Sequence, residues 1–546
     1  MKTPRSLVWL VRCLVLLAFA GPSSGLRAQA PDYATIEPKS RALMRRPSLA
    51  KRTEGRALLA STGDPRAFAT LVQQYADPEE PRDFVRSLLV TVLADYHPGE
   101  PPRVAWQKWR TAHATAGDAW LWFRALCIEE RADPELWHTV AAAKLPTELR
   151  AAALRAAAAQ PVAPTLDAAM LGHVFEIGAE IGTVAEDRAL LLEGLIELFE
   201  RQNLPLGKDA RASLRSLVYA MGEPATSVRS RVVLSRSLAR ALGRDNLGLD
   251  ANDWLEMLED GPLDRIEMAY AQKRGKARPG FFGITEHGRS IAYVIDASDS
   301  MLEPLTPSER SELQPLTGPA AKSGARNTAE YAIDWKKVKT RFDGARELLK
   351  VALRQLGPDQ QFSIVLFGDT AELLPATPSM VAATPRSVAA ACRDLDAIKI
   401  GSKRHDRPYG TLRGQTNLHG GLRLAFRVGE VKGGVAARDV RPWLGGADTI
   451  YLLSDGAPNA DDFPAVDAND SEYAGDPERG TRFKYSGEVT YPGPFAASGY
   501  LLADLRRQNL LRRCAIHVIG LGEADYALLR NIAAVGQGAT VQIGKH

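Results

Sequence analysis

The stretch Ile291-Ala292-Tyr293-Val294-Ile295-Asp296-Ala297-Ser298-Asp299-Ser300-Met301 decides how the C-terminal half of the chain is read. Five apolar residues in a row describe a strand covered on both faces, and the run ends directly on a carboxylate. Asp296, Ser298 and Ser300 then alternate, so one side of the loop collects a carboxylate and two hydroxyls. All three are hard oxygen donors, which suit Mg²⁺, Ca²⁺ or Mn²⁺ and are wrong for zinc or copper. Three further continuously apolar runs follow, at Phe362–Phe367, Thr449–Leu453 and Ala515–Gly520. Amphipathic segments separate them, the clearest at Lys337–Leu356 with Phe342, Ala345, Leu349, Ala352 and Leu356. Alternation of this kind predicts an α/β fold with a doubly wound, mostly parallel sheet over residues 289–546. Ligands of such sheets bind beyond the carboxyl ends of the strands.

A second oxygen cluster ends another of these runs, in Leu452-Leu453-Ser454-Asp455-Gly456. Between the two lies Gly414-Gln415-Thr416-Asn417-Leu418, a turn entering a helix with a hydroxyl at its start. Asp-Gly is a common turn and Thr a common cap, so each fragment alone says little. In this order, on strand ends of one α/β domain, they are specific. They resemble the metal-ion-dependent adhesion site of von Willebrand factor type A domains, whose Asp-x-Ser-x-Ser, Thr and Asp are matched at Asp296, Ser298, Ser300, Thr416 and Asp455. Phe362–Phe367 is similar to the family's second strand, and Ile516–Gly522 with Leu528 to Gly538 to its last strand–helix–strand unit.

The resemblance implies a divalent cation, Mg²⁺ first with Ca²⁺ or Mn²⁺ as alternatives, held partly through water. An open coordination position would accept an Asp or Glu carboxylate from a partner protein. Two protein carboxylates leave a dication unsaturated, and a partner's acid supplies what is missing. Asp299 departs from the family, which usually has Gly there. Three insertions also depart from it, near 302–334, near 459–500 and over Lys399–Gln415. All leave element ends beside the expected metal, as either an elaborated recognition surface or surface decoration. The third is basic and the second acidic, with a partial calcium-loop spacing from Asp467 to Glu478 that has Glu472 where Gly is required. His419 is expected as a polar residue on the helix after Thr416, with a partner contact as the alternative.

No catalytic residue is expected. Gly318–Ser323 lacks the glycine and strand of a phosphate loop, HExxH does not occur, and no GxSxG elbow appears, the bare spacing being met only by Gly21–Gly25 in the leader.

The chain has 546 residues, 45% of them hydrophobic and 25% charged, which excludes disordered and multi-span membrane classes. Its formal net charge of +4 comes from Lys2, Arg5, Arg12 and Arg27 in a segment without acids, so charge gives no support for nucleic-acid binding. Residues 1–30 read as a secretory signal, with an apolar run from Cys13 to Ala20 and cleavage after Ala20 or Ala30. The alternative is an uncleaved anchor, and no later segment is apolar enough to span a bilayer. Residues 31–56 are polar and basic without apolar periodicity and are expected as a flexible lead-in. Residues 57–269 read as an Ala/Leu-rich helical scaffold that weakly resembles HEAT-type repeats. Within it, helices are expected at Arg82–Tyr96, Leu149–Ala158 and Asp187–Phe199, and Trp106, Trp109, Trp120 and Trp122 are expected in the core. Residues 270–288 read as a linker. Cys127, Cys392 and Cys514 are no disulfide framework, and Cys127 and Cys514 are expected buried.

The whole predicts an exported, non-enzymatic protein that is periplasmic, on the cell surface or secreted, and binds a protein ligand through its metal. The alternatives are an accessory subunit docking on an enzyme or assembly complex, and a scaffold in which the metal is only structural.

Overall fold

The computed structural model describes residues 32–71, 114–129, 144–160, 185–202, 214–259, 281–317, 333–398, 415–428, 445–461 and 494–544, apart from a few positions inside these ranges. Within them, the C-terminal part is built on one sheet. Its strands are β1 (Ser290–Asp296), β2 (Gln361–Phe367), β3 (Ala371–Leu373), β4 (Val381–Ala382), β5 (Thr449–Ser454), β6 (Ala515–Leu521) and β7 (Thr540–Ile543). The order is β3-β2-β1-β5-β6-β7, with β4 also on β2. The pairs β1–β2, β1–β5, β5–β6 and β6–β7 are parallel, and β3 and β4 join β2 antiparallel. The chain runs outward from β1 in one direction to β2 and in the other to β5, so the topological switch point lies between β1 and β5.

The pleat explains why the strand sequences are continuously apolar. Ile291, Tyr293 and Ile295 face one core with Phe342, Leu349 and Leu353 of the Arg341–Gln355 helix. Ala292 and Val294 face the other with Leu418, Leu422 and Phe426 of the Leu418–Arg427 helix and Leu501 and Leu505 of the Ser498–Arg512 helix. Both faces are covered, so alternation has no polar side to show. The four expected strands are present, each a residue or so longer than its apolar run. The expected Lys337–Leu356 helix begins instead at Arg341, because Thr340 caps it reciprocally with Asp343.

Several expectations are corrected. Residues read as a flexible lead-in form helices Tyr33–Met44 and Leu49–Ala60. Asp32 caps the first, and Ser40 Oγ donates to Gly55 O at 2.7 Å. A Cβ on Gly55 would lie 2.8 Å from Ser40 O, so this pair is held by close approach and not by an apolar stripe that sequence would reveal. The end of the expected linker belongs to the sheet domain. Phe281, Phe282 and Ile284 are buried, and Phe281 packs edge-on against Tyr293 and Tyr451. The first insertion is partly core. Thr306 and Glu309 form a capping box on a Pro307–Leu313 helix that buries Leu313 and leans on Leu305. Cys127 is half-buried, and Cys127, Cys392 and Cys514 form no disulfide among the described residues.

In the helical part, Thr147–Ala158 and Ala185–Gln202 match expectation. Helices Ala119–Glu129, Thr147–Ala158, Ala185–Gln202, Val228–Ala241 and Ala251–Glu259 share two cores, with Trp120 and Trp122 in one and Trp254 in the other. Leu510 and Leu511 of the sheet domain pack on these cores. Arg236 Nη1 donates to Asp448 O at 2.8 Å and Nη2 to Thr449 Oγ1 at 2.6 Å, where β5 begins. The two parts are therefore docked together. No described helix is long and apolar enough to cross a membrane. The leader, the 82–96 helix, Trp106, Trp109, the 399–414 loop and the 467–478 spacing lie outside the described residues.

Candidate metal centre

The site is assembled where β1 and β5 end side by side. The parallel register pairs Ile295 with Leu453, which sets Asp296 level with Ser454. Asp296 is fully buried. Its Oδ1 accepts from Ser298 N at 2.9 Å and its Oδ2 from Ser454 Oγ at 2.6 Å. The loop then turns back, so Ser298 Oγ and Ser300 Oγ lie 3.0 Å apart and Ser300 Oγ donates to Asp455 Oδ1 at 2.6 Å.

Thr416 arrives from a third element. Asn417 N donates to Gly368 O at 2.7 Å just past β2, and Gln415 N to Asp369 Oδ1 at 2.9 Å. Asn459 holds it from the other side, its Oδ1 accepting from Thr416 N at 2.7 Å and its N donating to Thr416 O at 3.1 Å. A Cβ on Gly456 would sit 3.5 Å from Thr416 Oγ1 and 3.7 Å from Ser300 Oγ, ordinary contact distances that place the two hydroxyls on either side of one glycine. All five residues singled out from sequence are thus brought together. The Thr416 hydroxyl makes no hydrogen bond among the described residues.

The electrostatics favour a cation. Burial, reinforced by repulsion from Asp455, pushes the Asp296 carboxyl up to about 7. Burial also raises Asp455, against the pull of Ser300 and Arg341. Two buried carboxylates that resist ionising together are relieved by a dication between them. Asp299 Oδ1 is buried with no hydrogen-bond partner, a further oxygen beside the loop. The donor set of two carboxylates and three hydroxyls therefore fits a hard divalent ion. Among the described residues no cluster of three or more His, Cys, Asp or Glu side chains offers a different metal site.

Sequence reasoning missed the supports. Arg341, buried at the start of its helix, donates from Nη1 to Asp455 Oδ2 at 3.1 Å and from Nε to Glu309 Oε1 at 3.0 Å. It also pairs with Glu303 at 2.7 Å. Ser454, Asn459 and Asp369 reach the site across sequence separations of 40 residues or more, through the Ser454–Asp296, Thr416–Asn459 and Gln415–Asp369 bonds. Only Ser454, adjacent to Asp455, carried a signal. His419 lies, as expected, on the helix that follows Thr416. It is fully buried, bonds Asp504 at 2.8 Å and stacks on Phe495 with ring centres 4.1 Å apart, which removes it from partner contact.

A family model for the von Willebrand factor type A domain matches residues 334–471 and 495–541, the sheet domain beyond its first strand. A search of curated proteins finds no match. Among solved structures, a von Willebrand factor type A protein from Catenulispora acidiphila aligns at 17% identity, over 48% of this chain and 40% of its own, with a TM-score of 0.25. The PilB minor pilin from Streptococcus sanguinis aligns at 16% identity, over 47% of this chain and 57% of its own, with a TM-score of 0.26. The chain thus spans less than two thirds of either neighbour's length. The sheet domain that follows the helical part is thus identified, over the residues matched, as a von Willebrand factor type A domain.

Proposed function

We propose that this protein binds a divalent cation, Mg²⁺ first, at Asp296, Ser298, Ser300, Thr416 and Asp455, and through it a carboxylate of a protein ligand. The observation that carries the reading is the convergence of these five side chains at the β1–β5 switch point, with both carboxylates raised by burial. A bound dication would supply charge neutralisation and a vacant position for an acidic group. The rim suits a protein partner, since Leu302, two residues past Ser300, is an exposed large apolar side chain. The protein works by binding, as an exported and non-enzymatic interaction module. The hydroxyls serve as ligands to the cation.

The test is calorimetric titration of Mg²⁺, Ca²⁺ and Mn²⁺ into the metal-stripped chain beside the Asp296→Ala, Asp455→Ala double variant. One equivalent bound by the wild type and none by the folded variant is expected. A folded wild type that takes up no ion sinks the reading and leaves a scaffold.

A further inference from the structure

A cavity of about 200 Å³ lies at the opposite end of the sheet from Asp296, between the Val228–Ala241 helix and the start of β6. Arg236 and Arg240 line it from the helical part, and Arg513, Asn509 and Gln537 from the sheet domain. Asn246 completes the polar lining, which contains no acid. Arg236 is anchored by Asp448 and Thr449, and Arg513 Nη1 reaches Glu197 at 3.3 Å. Arg513 Nη2 is buried and has no hydrogen-bond partner.

Two of these residues hold backbone conformations that glycine takes more readily. Arg513 ends the Ser498–Arg512 helix at φ 51°, in the left-handed position where helices favour glycine, and Gln537 also has φ 51°. Phe282 is the remaining non-glycine residue with positive φ among those described, so two of three such sites open on one cavity. An arginine kept where glycine costs less points to a use for its side chain.

We propose that this cavity is an anion site that takes one phosphate-type oxyanion, with Arg240 and Arg513 as its charged donors and Asn246 and Gln537 as polar partners. The volume falls below the range of about 300–1,000 Å³ typical of drug-sized ligands, which limits the occupant to a phosphate or a small phosphorylated molecule. Guanidinium groups bind such oxyanions through paired, charge-assisted hydrogen bonds. Because the donors come from both parts of the chain, occupancy ties the helical region to the sheet domain.

The experiment uses the full chain in EDTA, so that the cation site plays no part. Inorganic phosphate and phenyl phosphate are titrated calorimetrically against sodium chloride of equal ionic strength. Arg240→Gln is the principal variant, because Arg240 is half-buried and bonds within its own helix to Ser237. Arg530→Gln, on an exposed position of the Tyr526–Val535 helix, is the control. Saturable binding that weakens about tenfold or more in Arg240→Gln and stays unchanged in Arg530→Gln is expected. Tighter binding of phosphate identifies the free ion, and tighter binding of the ester identifies a phosphorylated molecule. No binding beyond the chloride control, or equal binding by a folded Arg240→Gln, overturns the proposal.

Discussion

Arg341 shows what a single residue contributes. Its guanidinium lies among Asp455, Glu309 and Glu303 and holds one oxygen of a candidate metal ligand. Removing one partner of a buried ionic cluster leaves the others desolvated and unpaired, at a cost of about 3–5 kcal/mol. Arg341→Met should lower the urea midpoint accordingly in EDTA. A dication that binds only the folded state should then recover part of the loss by mass action. The recovery is expected in Arg341→Met and not in Arg341→Met combined with Asp296→Ala. Unchanged stability in EDTA would show that the cluster is solvated and not a support of the site.

Between elements, the Leu418–Arg427 and Ser498–Arg512 helices are joined by His419 and Asp504, both buried. Burial alone would raise the Asp504 carboxyl. Arg507 and the hydrogen bond from His419 outweigh it and hold the group well below the usual carboxylate range. A carboxyl depressed in the folded state stabilises it above the unfolded value of about 4 and loses that contribution as pH falls. Stability should therefore drop more steeply from pH 5 to pH 3 in the wild type than in Asp504→Asn, as read from urea midpoints. Parallel slopes would show that the pair contributes nothing to acid sensitivity. The same helix carries Gly421, where a Cβ would meet Phe367 at 2.9 Å and Val294 at 3.0 Å, so it lies close on β1 and β2. That closeness brings Thr416, two residues before the helix, up to the strand ends.

For the molecule as a whole, the docking of helical part on sheet domain is the main finding that no motif announced. Arg236 spans it, reaching residues more than 200 positions away. Arg236→Ala would leave Asp448, which is fully buried, without its cation and should cost about 3 kcal/mol. Hydrogen exchange should speed up in the Val228–Ala241 and Ser498–Arg512 helices together, since Arg229 of the first donates to Arg512 O of the second. Faster exchange in only one of them would mean that the two parts open independently.

The five ligand candidates were legible because each lies in a short motif at the end of an apolar run, and strand ends converge in any doubly wound sheet. The fold class was legible for a related reason. A strand covered on both faces must be apolar throughout, as Ile291–Ile295 is, and helical stretches such as Ala185–Gln202 repeat leucine at their own period. Arg341, Asn459 and Asp369 were not legible, because an arginine, an asparagine or an aspartate in a loop or first turn reads as solvated until a distant carboxylate or backbone amide is placed beside it. The helices at Tyr33–Met44 and Leu49–Ala60 rest on a glycine contact and a serine hydrogen bond, neither of which has a period. Local chemistry and periodicity are carried by neighbouring residues, so sequence alone determined the sheet domain and its oxygen cluster. Pairings such as Arg341–Asp455 and Arg236–Asp448 depend on which surfaces meet, and only the tertiary structure decided those.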